Sequence, residues 1–175
     1  MRPFVAVFSL NVPVPGSVAR IASDLRPVLV DADVERFRDR HSLVVKRFEG
    51  EESLPRLRER LRTALREEPA FEARVAGVGT FEDPPRGPGP VVYLAVDSPG
   101  LVALHDRLVD RFGAVAGLEG DGYTPHVTLG RGGVFDDETL AALSERVAPV
   151  RWTVSELAVY DSRYREVVSR LPLPA

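Results

Sequence analysis

Residues Tyr123–Gly133 read YTPHVTLGRGG. Side chains of a strand alternate between its two faces, so His126 and Thr128 share one face while Val127 and Leu129 share the other. Gly130 comes next on the histidine face and leaves room there for a substrate. Arg131 points away in a regular strand and reaches the histidine face only where the strand ends or twists. A histidine beside a hydroxyl is half of a reactive site. The other half has to come from elsewhere in the chain.

It has a counterpart earlier on. HSLVVKRF, His41–Phe48, is a second apolar strand that starts with histidine, and the two histidines stand about half a chain apart. Working outward, the first half predicts a strand at FVAVFSL (Phe4–Leu10), then a helix in PGSVARIASDLRPVL with Val18, Ile21, Ala22, Leu25, Val28 and Leu29 on one face. The His41 strand follows, then a helix capped by Ser53, then the alternating strand FEARVAGV. The second half repeats the order. VVYLAV (Val91–Val96) is a strand, and a helix follows with Ser98 as N-cap, Pro99 at its first position and Gly113 as stop. The His126 strand comes next, then a helix opened by Asp136 and Asp137. WTVSELAVY shows a parity change near Ser155 that predicts a bulge, and EVVSRL closes the chain as a strand. Between the halves lies EDPPRGPGP (Glu82–Pro90), too rich in proline and glycine for helix or ladder.

The repeat predicts an α+β protein, one bilobal domain over 1–175. Residues 1–81 form the first half, 82–90 the linker and 91–175 the second half. Each lobe is an antiparallel-rich sheet with outer helices, and the active-site cleft lies between them. The 175 residues, 44% of them hydrophobic, suffice for such a core. There is no cysteine, which excludes disulfides and thiolate chemistry. The formal net charge of −3 gives no general attraction to nucleic acid. Lys46 is the one lysine, so phosphate contacts fall mainly to arginine forks. The N-terminal apolar run is broken by Asn11 and two prolines. It is too short for a membrane span and a poor match to a signal peptide, so a cytoplasmic monomer without membrane contact is expected.

Two histidines facing one cleft suit in-line displacement at phosphorus. One accepts the proton of the nucleophile and the other protonates the leaving oxygen, while hydroxyls, amides or cations hold the phosphoryl oxygens. PHVTLGR resembles the His-x-Thr/Ser-x motif of the two-histidine (2H) phosphoesterase superfamily, which includes 2′-5′ RNA ligase-like proteins and RNA 2′,3′-cyclic phosphodiesterases. FVAVFSLNVP and LAVYDSRY are similar to that family's first strand and its closing Tyr-x-Ser segment, so the resemblance spans nearly the whole chain. It implies metal-independent opening of 2′,3′-cyclic phosphate ends of RNA or nucleotides, with His41 and His126 as the acid/base pair and Thr128 as phosphate ligand. No metal and no cofactor are implied. The alternatives are an RNA-end binding protein without turnover and a 2′-5′ RNA ligase.

The first motif departs from the pattern. HSLV has Ser42 one place after the histidine and Leu43 where the hydroxyl belongs. A regular strand turns Ser42 away from His41's face, so Ser42 binds phosphate only where a bulge returns it. Lys46 and Arg131 occupy matching positions in the two motifs and are further phosphate candidates. Tyr123 could stack on a base, as could Tyr160, although packing is the ordinary role of such aromatics. His105 borders the apolar stripe of its helix and is expected on the helix surface. Asp136 and Asp137 read as caps.

Overall fold

A computed structural model of the chain describes residues 7–50 and 52–174. The first half contains β1 (Phe8–Val12), α1 (Gly16–Asp31), β2 (Val34–Phe37), β3 (Leu43–Phe48), α2 (Leu54–Leu65) and β4 (Phe71–Phe81). The second contains β5 (Val91–Asp97), α3 (Pro99–Phe112), β6 (His126–Gly132), α4 (Asp137–Glu145), β7 (Arg151–Val154), β8 (Glu156–Asp161) and β9 (Glu166–Pro172). The Phe4–Ala6 portion of the expected first strand lies outside the described residues. Ser98 and Asp136 cap α3 and α4, accepting from the amides of Leu101 and Thr139 at 3.2 and 2.7 Å. Ser53 occupies the N-cap of α2, but its side chain makes no capping bond.

All strand pairs are antiparallel, and they form one sheet in the order β7-β4-β5-β6-β3-β1-β8-β9, with β2 also paired to β6. The α+β architecture with antiparallel strands and outer helices is therefore present. The lobes, however, exchange strands. β4 from the first half joins β5 and β6, and β8 from the second half joins β1 and β3. The Pro/Gly segment is the loop of the β4–β5 hairpin.

Only Ser155 separates β7 from β8, yet β7 pairs with β4 and β8 pairs with β1. The sheet must curl until its two sides meet at that end. Backbone bonds close the seam, from Ala70 to Pro174 at 3.0 Å and from Leu173 to Ser155 at 2.9 Å. The parity change at Ser155 is thus a change of pairing partner, not a bulge within one strand. The convex face buries Leu10, Leu43, Leu94 and Val127 against Ile21, Leu25, Leu61 and Leu104 from the helices, in one continuous core. The opposite, concave face stays half-open.

The sequence does not predict β2. VERF has neither clean alternation nor an apolar run, because Val34 and Phe37 fall on opposite parities. Tertiary pairing makes it a strand. Arg36 and Phe37 pair with Arg131 and Gly130 of β6. A Cβ on Gly130 would lie 2.5 Å from the Arg36 carbonyl oxygen. Gly130 therefore makes room for the β2 backbone, and not for a substrate as expected.

Under the sheet lies a buried ion pair. Lys46 and Glu119 are each about 1% exposed and bonded to one another. Glu119 also accepts from the amides of Arg47 at 2.7 Å and Val115 at 2.9 Å. Removing one member of a buried pair leaves the other charge uncompensated, at roughly 3–5 kcal/mol. Glu119→Ala should lie at the upper end of that loss, since it leaves Lys46 without a counter-charge, its Nζ keeping only the Arg47 carbonyl at 2.6 Å, and orphans two amides. Lys46→Met should cost less, because Glu119 keeps both amide donors. Urea unfolding monitored at Trp152 checks the order, and equal losses would refute it.

Candidate active site on the concave face

The second motif lies as its alternation requires. Val127 is fully buried in the core, while His126 and Thr128 are half-buried on the concave face. β5 brings Ala95 beside His126 and Tyr93 beside Thr128. Tyr93 and Phe81 stack on each other with ring centres 4.3 Å apart, and both meet the His126 ring edge-on, at 5.3 and 5.0 Å. Gly79 supports this arrangement: a Cβ there would lie 2.7 Å from the Tyr93 hydroxyl. The aromatic wall fixes the imidazole plane.

His126 Nδ1 lies 2.7 Å from the Thr124 carbonyl oxygen. A carbonyl only accepts, so Nδ1 carries the proton and Nε2 of the neutral ring keeps its lone pair. Burial holds the pKa of His126 below its ordinary value of 6.5, the bond to Thr124 works against that shift, and Arg47 adds to it. A neutral imidazole with a free Nε2 can accept a proton at neutral pH.

Arg47 reaches this face through a bulge. β1 pairs Leu10 with Lys46 but Asn11 with Val44, leaving Val45 as the extra residue. The bulge resets the alternation. Lys46 turns inward to Glu119, and Arg47 lies outward beside Ser9. The Ser9 hydroxyl donates to Asn11 Oδ1 at 2.9 Å, so two further polar groups share the concave face. Sequence alternation alone missed Arg47, because a bulge shows only in the pairing.

The first motif is displaced by one residue. Leu43 pairs with Val127 across β3 and β6. Continuing that register places Ser42 across from Thr128 and Val44 across from His126. The approximate two-fold axis between the strands therefore matches Ser42, not His41, with His126, and Val44 with Thr128. Burial agrees: Leu43 and Val45 are fully buried, and Ser42 is exposed. His41 precedes the strand and lines a small hollow with Ala22, Ser23, Arg26 and Leu29 of α1, and Leu129. That hollow belongs to the helix side of the sheet. Burial lowers the His41 pKa, with Asp39 opposing. His41 thus lies outside the register that sets Ser42 and Val44 across from Thr128 and His126.

Two other phosphate candidates separate. Lys46 does not reach the cleft, because it is buried beneath the sheet with Glu119. Arg131 remains at the surface, where its Nη1 donates to the carbonyls of Arg86 and Pro88 at 2.8 and 3.0 Å. It lines an open hollow of about 400 Å³ with Arg36, Arg38, Arg40, Arg165 and Tyr160. The arginines of β2 and its continuation were missed, although their signal is visible: VERFRDR places arginine at every second position from 36 to 40.

Tyr123 is a packing residue. Its hydroxyl donates to the Val44 carbonyl at 2.8 Å, and its ring stacks on His105 with centres 3.7 Å apart. His105 is fully buried, contrary to the surface position expected. Gly120 N–H donates to its Nε2 at 3.1 Å, so Nδ1 carries the hydrogen given to the Val45 carbonyl at 2.7 Å. His105 thereby braces both the loop before β6 and the bulge in β3. Among the described residues no group of three or more His, Cys, Asp or Glu could hold a metal ion, and no helix is long and apolar enough to cross a membrane.

The fold has solved counterparts. Escherichia coli LigT in its apo form superposes with a TM-score of 0.66 at 18% identity, covering 99% of this chain and 100% of that one. TT0787 of Thermus thermophilus gives 0.62 at 21% identity, over 95% of this chain and 97% of that one. Usb1 of Kluyveromyces marxianus gives 0.56 at 13%, over 95% and 96%. No curated protein matches the chain by sequence. The family model described as the 2′-5′ RNA ligase superfamily matches residues 14–165. The chain belongs to the 2′-5′ RNA ligase superfamily, whose proteins share the two-histidine phosphoesterase fold.

Proposed function

We propose that this protein binds the phosphate end of RNA or of a nucleotide on its concave face, with His126 as the single acid–base group at the phosphorus. One observation carries the reading: the Leu43–Val127 register, which puts Ser42 and Val44 where a second histidine and a second hydroxyl would stand. Thr128 and Ser42 supply hydroxyls from the two strands, and Arg47 supplies charge. LigT structures hold ATP, 3′-AMP, NADP+ and phosphate, all of which carry phosphoryl groups. By analogy, a phosphoryl group is the ligand expected on the concave face here.

A single imidazole limits chemistry. His126 can activate water against a 2′,3′-cyclic phosphate, but the departing ribose oxygen lacks a matched proton donor. A positioned proton-transfer group contributes roughly 10²–10⁴-fold. Opening of the cyclic phosphate is therefore slow, and recognition is the main activity. The second reading is the paired cyclic phosphodiesterase, with His41 and His126 as acid and base. It draws on the family's enzymes and on His41 standing one residue from the matching position. 2′-5′ joining of RNA would need the same pair.

Hydrolysis of an RNA oligonucleotide ending in a 2′,3′-cyclic phosphate, with EDTA present, separates the readings. Wild type should turn over slowly, His126→Ala should abolish turnover, and His41→Ala should change it less than threefold. Ser42→His/Val44→Thr rebuilds the second motif in register and should raise the rate, by up to about 10²-fold. A large loss in His41→Ala would establish the paired mechanism and refute the single-histidine reading.

The tautomer and burial of His126 also set a pH dependence. Both histidines titrate lower in the folded chain than in the unfolded one. The unfolded chain then binds more protons as pH falls below about 6.5. Stability should be full above that pH, decline as pH drops toward the folded midpoints, and level off below them. NMR should show His126 titrating below 6.5 with its Nδ1 proton retained, and His126→Gln should flatten the decline in thermal midpoint.

A further inference from the structure

The Pro/Gly loop of the β4–β5 hairpin, residues 82–90, plays no part in the chemistry above. It leaves β4 at Phe81, whose ring meets His126. Its tip reaches the Arg47 end of the concave face. A Cβ on Gly117 would meet the Pro85 ring at 3.6 Å, and Gly117 stands two positions before Glu119, which accepts the Arg47 amide. The loop returns over Arg131, whose Nη1 donates to the Arg86 and Pro88 carbonyls. The fit there is close: Gly87 has a φ of +74°, and a Cβ on it would lie 2.8 Å from Arg131 Nη1. A segment rich in proline and glycine is thereby tied at its tip and along its return. The same course carries the charge of Arg86 toward Arg47. Burial lowers the Arg47 pKa, Glu119 opposes that shift, and Arg86 adds to it. Among the described residues neither arginine forms an ion pair. Glu119 is committed to Lys46 beneath the sheet, and Glu82 accepts from the Thr80 hydroxyl at 3.0 Å. Two cations held near each other repel, and an anion between them removes that cost.

We propose that residues 82–90 form a strap over the concave face, that Arg86 on the strap closes onto a bound phosphoryl group opposite Arg47, and that Arg131 is the positioning residue that latches the strap. The inference rests on the reading of the His126 site and adds to it a ligand-binding residue from outside both histidine strands. Arg131 then acts through the loop carbonyls and is not itself a phosphate ligand. One Nη1 serves both carbonyls, a task that the ammonium of a lysine, with three donors, also meets. The strap also borders the aromatic wall, so its closure and the setting of the His126 ring share Phe81.

Trypsin reports on the strap, because Arg86–Gly87 is a cleavable bond within it, and cleavage after Arg146 behind α4 serves as control. Cleavage after Arg86 should be severalfold faster in Arg131→Gln and in Gly87→Ala, and close to wild type in Arg131→Lys. A saturating nucleoside 3′-monophosphate should slow it about tenfold in wild type and leave the control site unchanged. Calorimetric titration with the same nucleotide measures the contact. Arg86→Gln should weaken binding about tenfold, the worth of one charge-assisted hydrogen bond, and Arg86→Lys should recover part of it. Adding Arg131→Gln to Arg86→Gln should cost nothing more, since the latch acts only through Arg86. Additive losses would make Arg131 a phosphate ligand in its own right and overturn the latch. Unchanged affinity in Arg86→Gln, or equal cleavage with and without a nucleotide that does bind, would overturn the strap. If the nucleotide protects Arg86 while the His126 imidazole resonances stay unmoved, the reading of the His126 site fails and the strap stands. Absence of any nucleotide binding would overturn both.

Discussion

The Leu43–Val127 pair at the centre of the sheet is the constraint on which the site depends. Both side chains are fully buried under the helices, so neither strand can slip. A slip of one residue would turn an entire apolar set out to the concave face. That hydrophobic requirement, not the chemistry, decides which side chains the cleft receives from each strand. On β6 it presents His126 and Thr128. On β3 it presents Ser42 and Val44. The histidine one residue upstream is left under α1.

Two further devices adjust what the pleat alone would present. The bulge at Val45 reverses the alternation of β3, sending Lys46 into the core and Arg47 to the open face. The buried Glu119 holds that reversal. It pairs with Lys46 and accepts the Arg47 amide, so one carboxylate fixes both residues. His105 supports the same region from below, bonding the Val45 carbonyl and the Gly120 amide. A polar network beneath the sheet thus sets a cation above it, and each of its members has a hydrogen-bond partner, as burial demands.

Much of the fold was legible. Helix stripes, the capping residues Ser98 and Asp136, and the repeat of element order all follow from periodicity and local chemistry. β2 was not legible, because its pairing depends on Gly130 of β6, which lies far away in sequence. The curl of the sheet was not legible either. Ser155 showed only as a change of parity, and nothing local distinguishes a bulge from a strand leaving one neighbour for another. The same limit governs the site. Aligning the halves on their histidines is natural when letters are compared, but strands align on their buried residues.

By itself, the sequence determined an antiparallel α+β chain with an internal repeat, and a concave-face histidine and hydroxyl at His126 and Thr128. Alternation against a buried Val127 is enough for that. Only the tertiary structure decided the composition of the opposing strand. Register is set by the burial of Leu43 against Val127 and by bulges whose extra residue is visible only across a pairing. Those contacts leave His41 outside the paired register, bury Lys46, turn Arg47 to the concave face and gather the β2 arginines into one hollow.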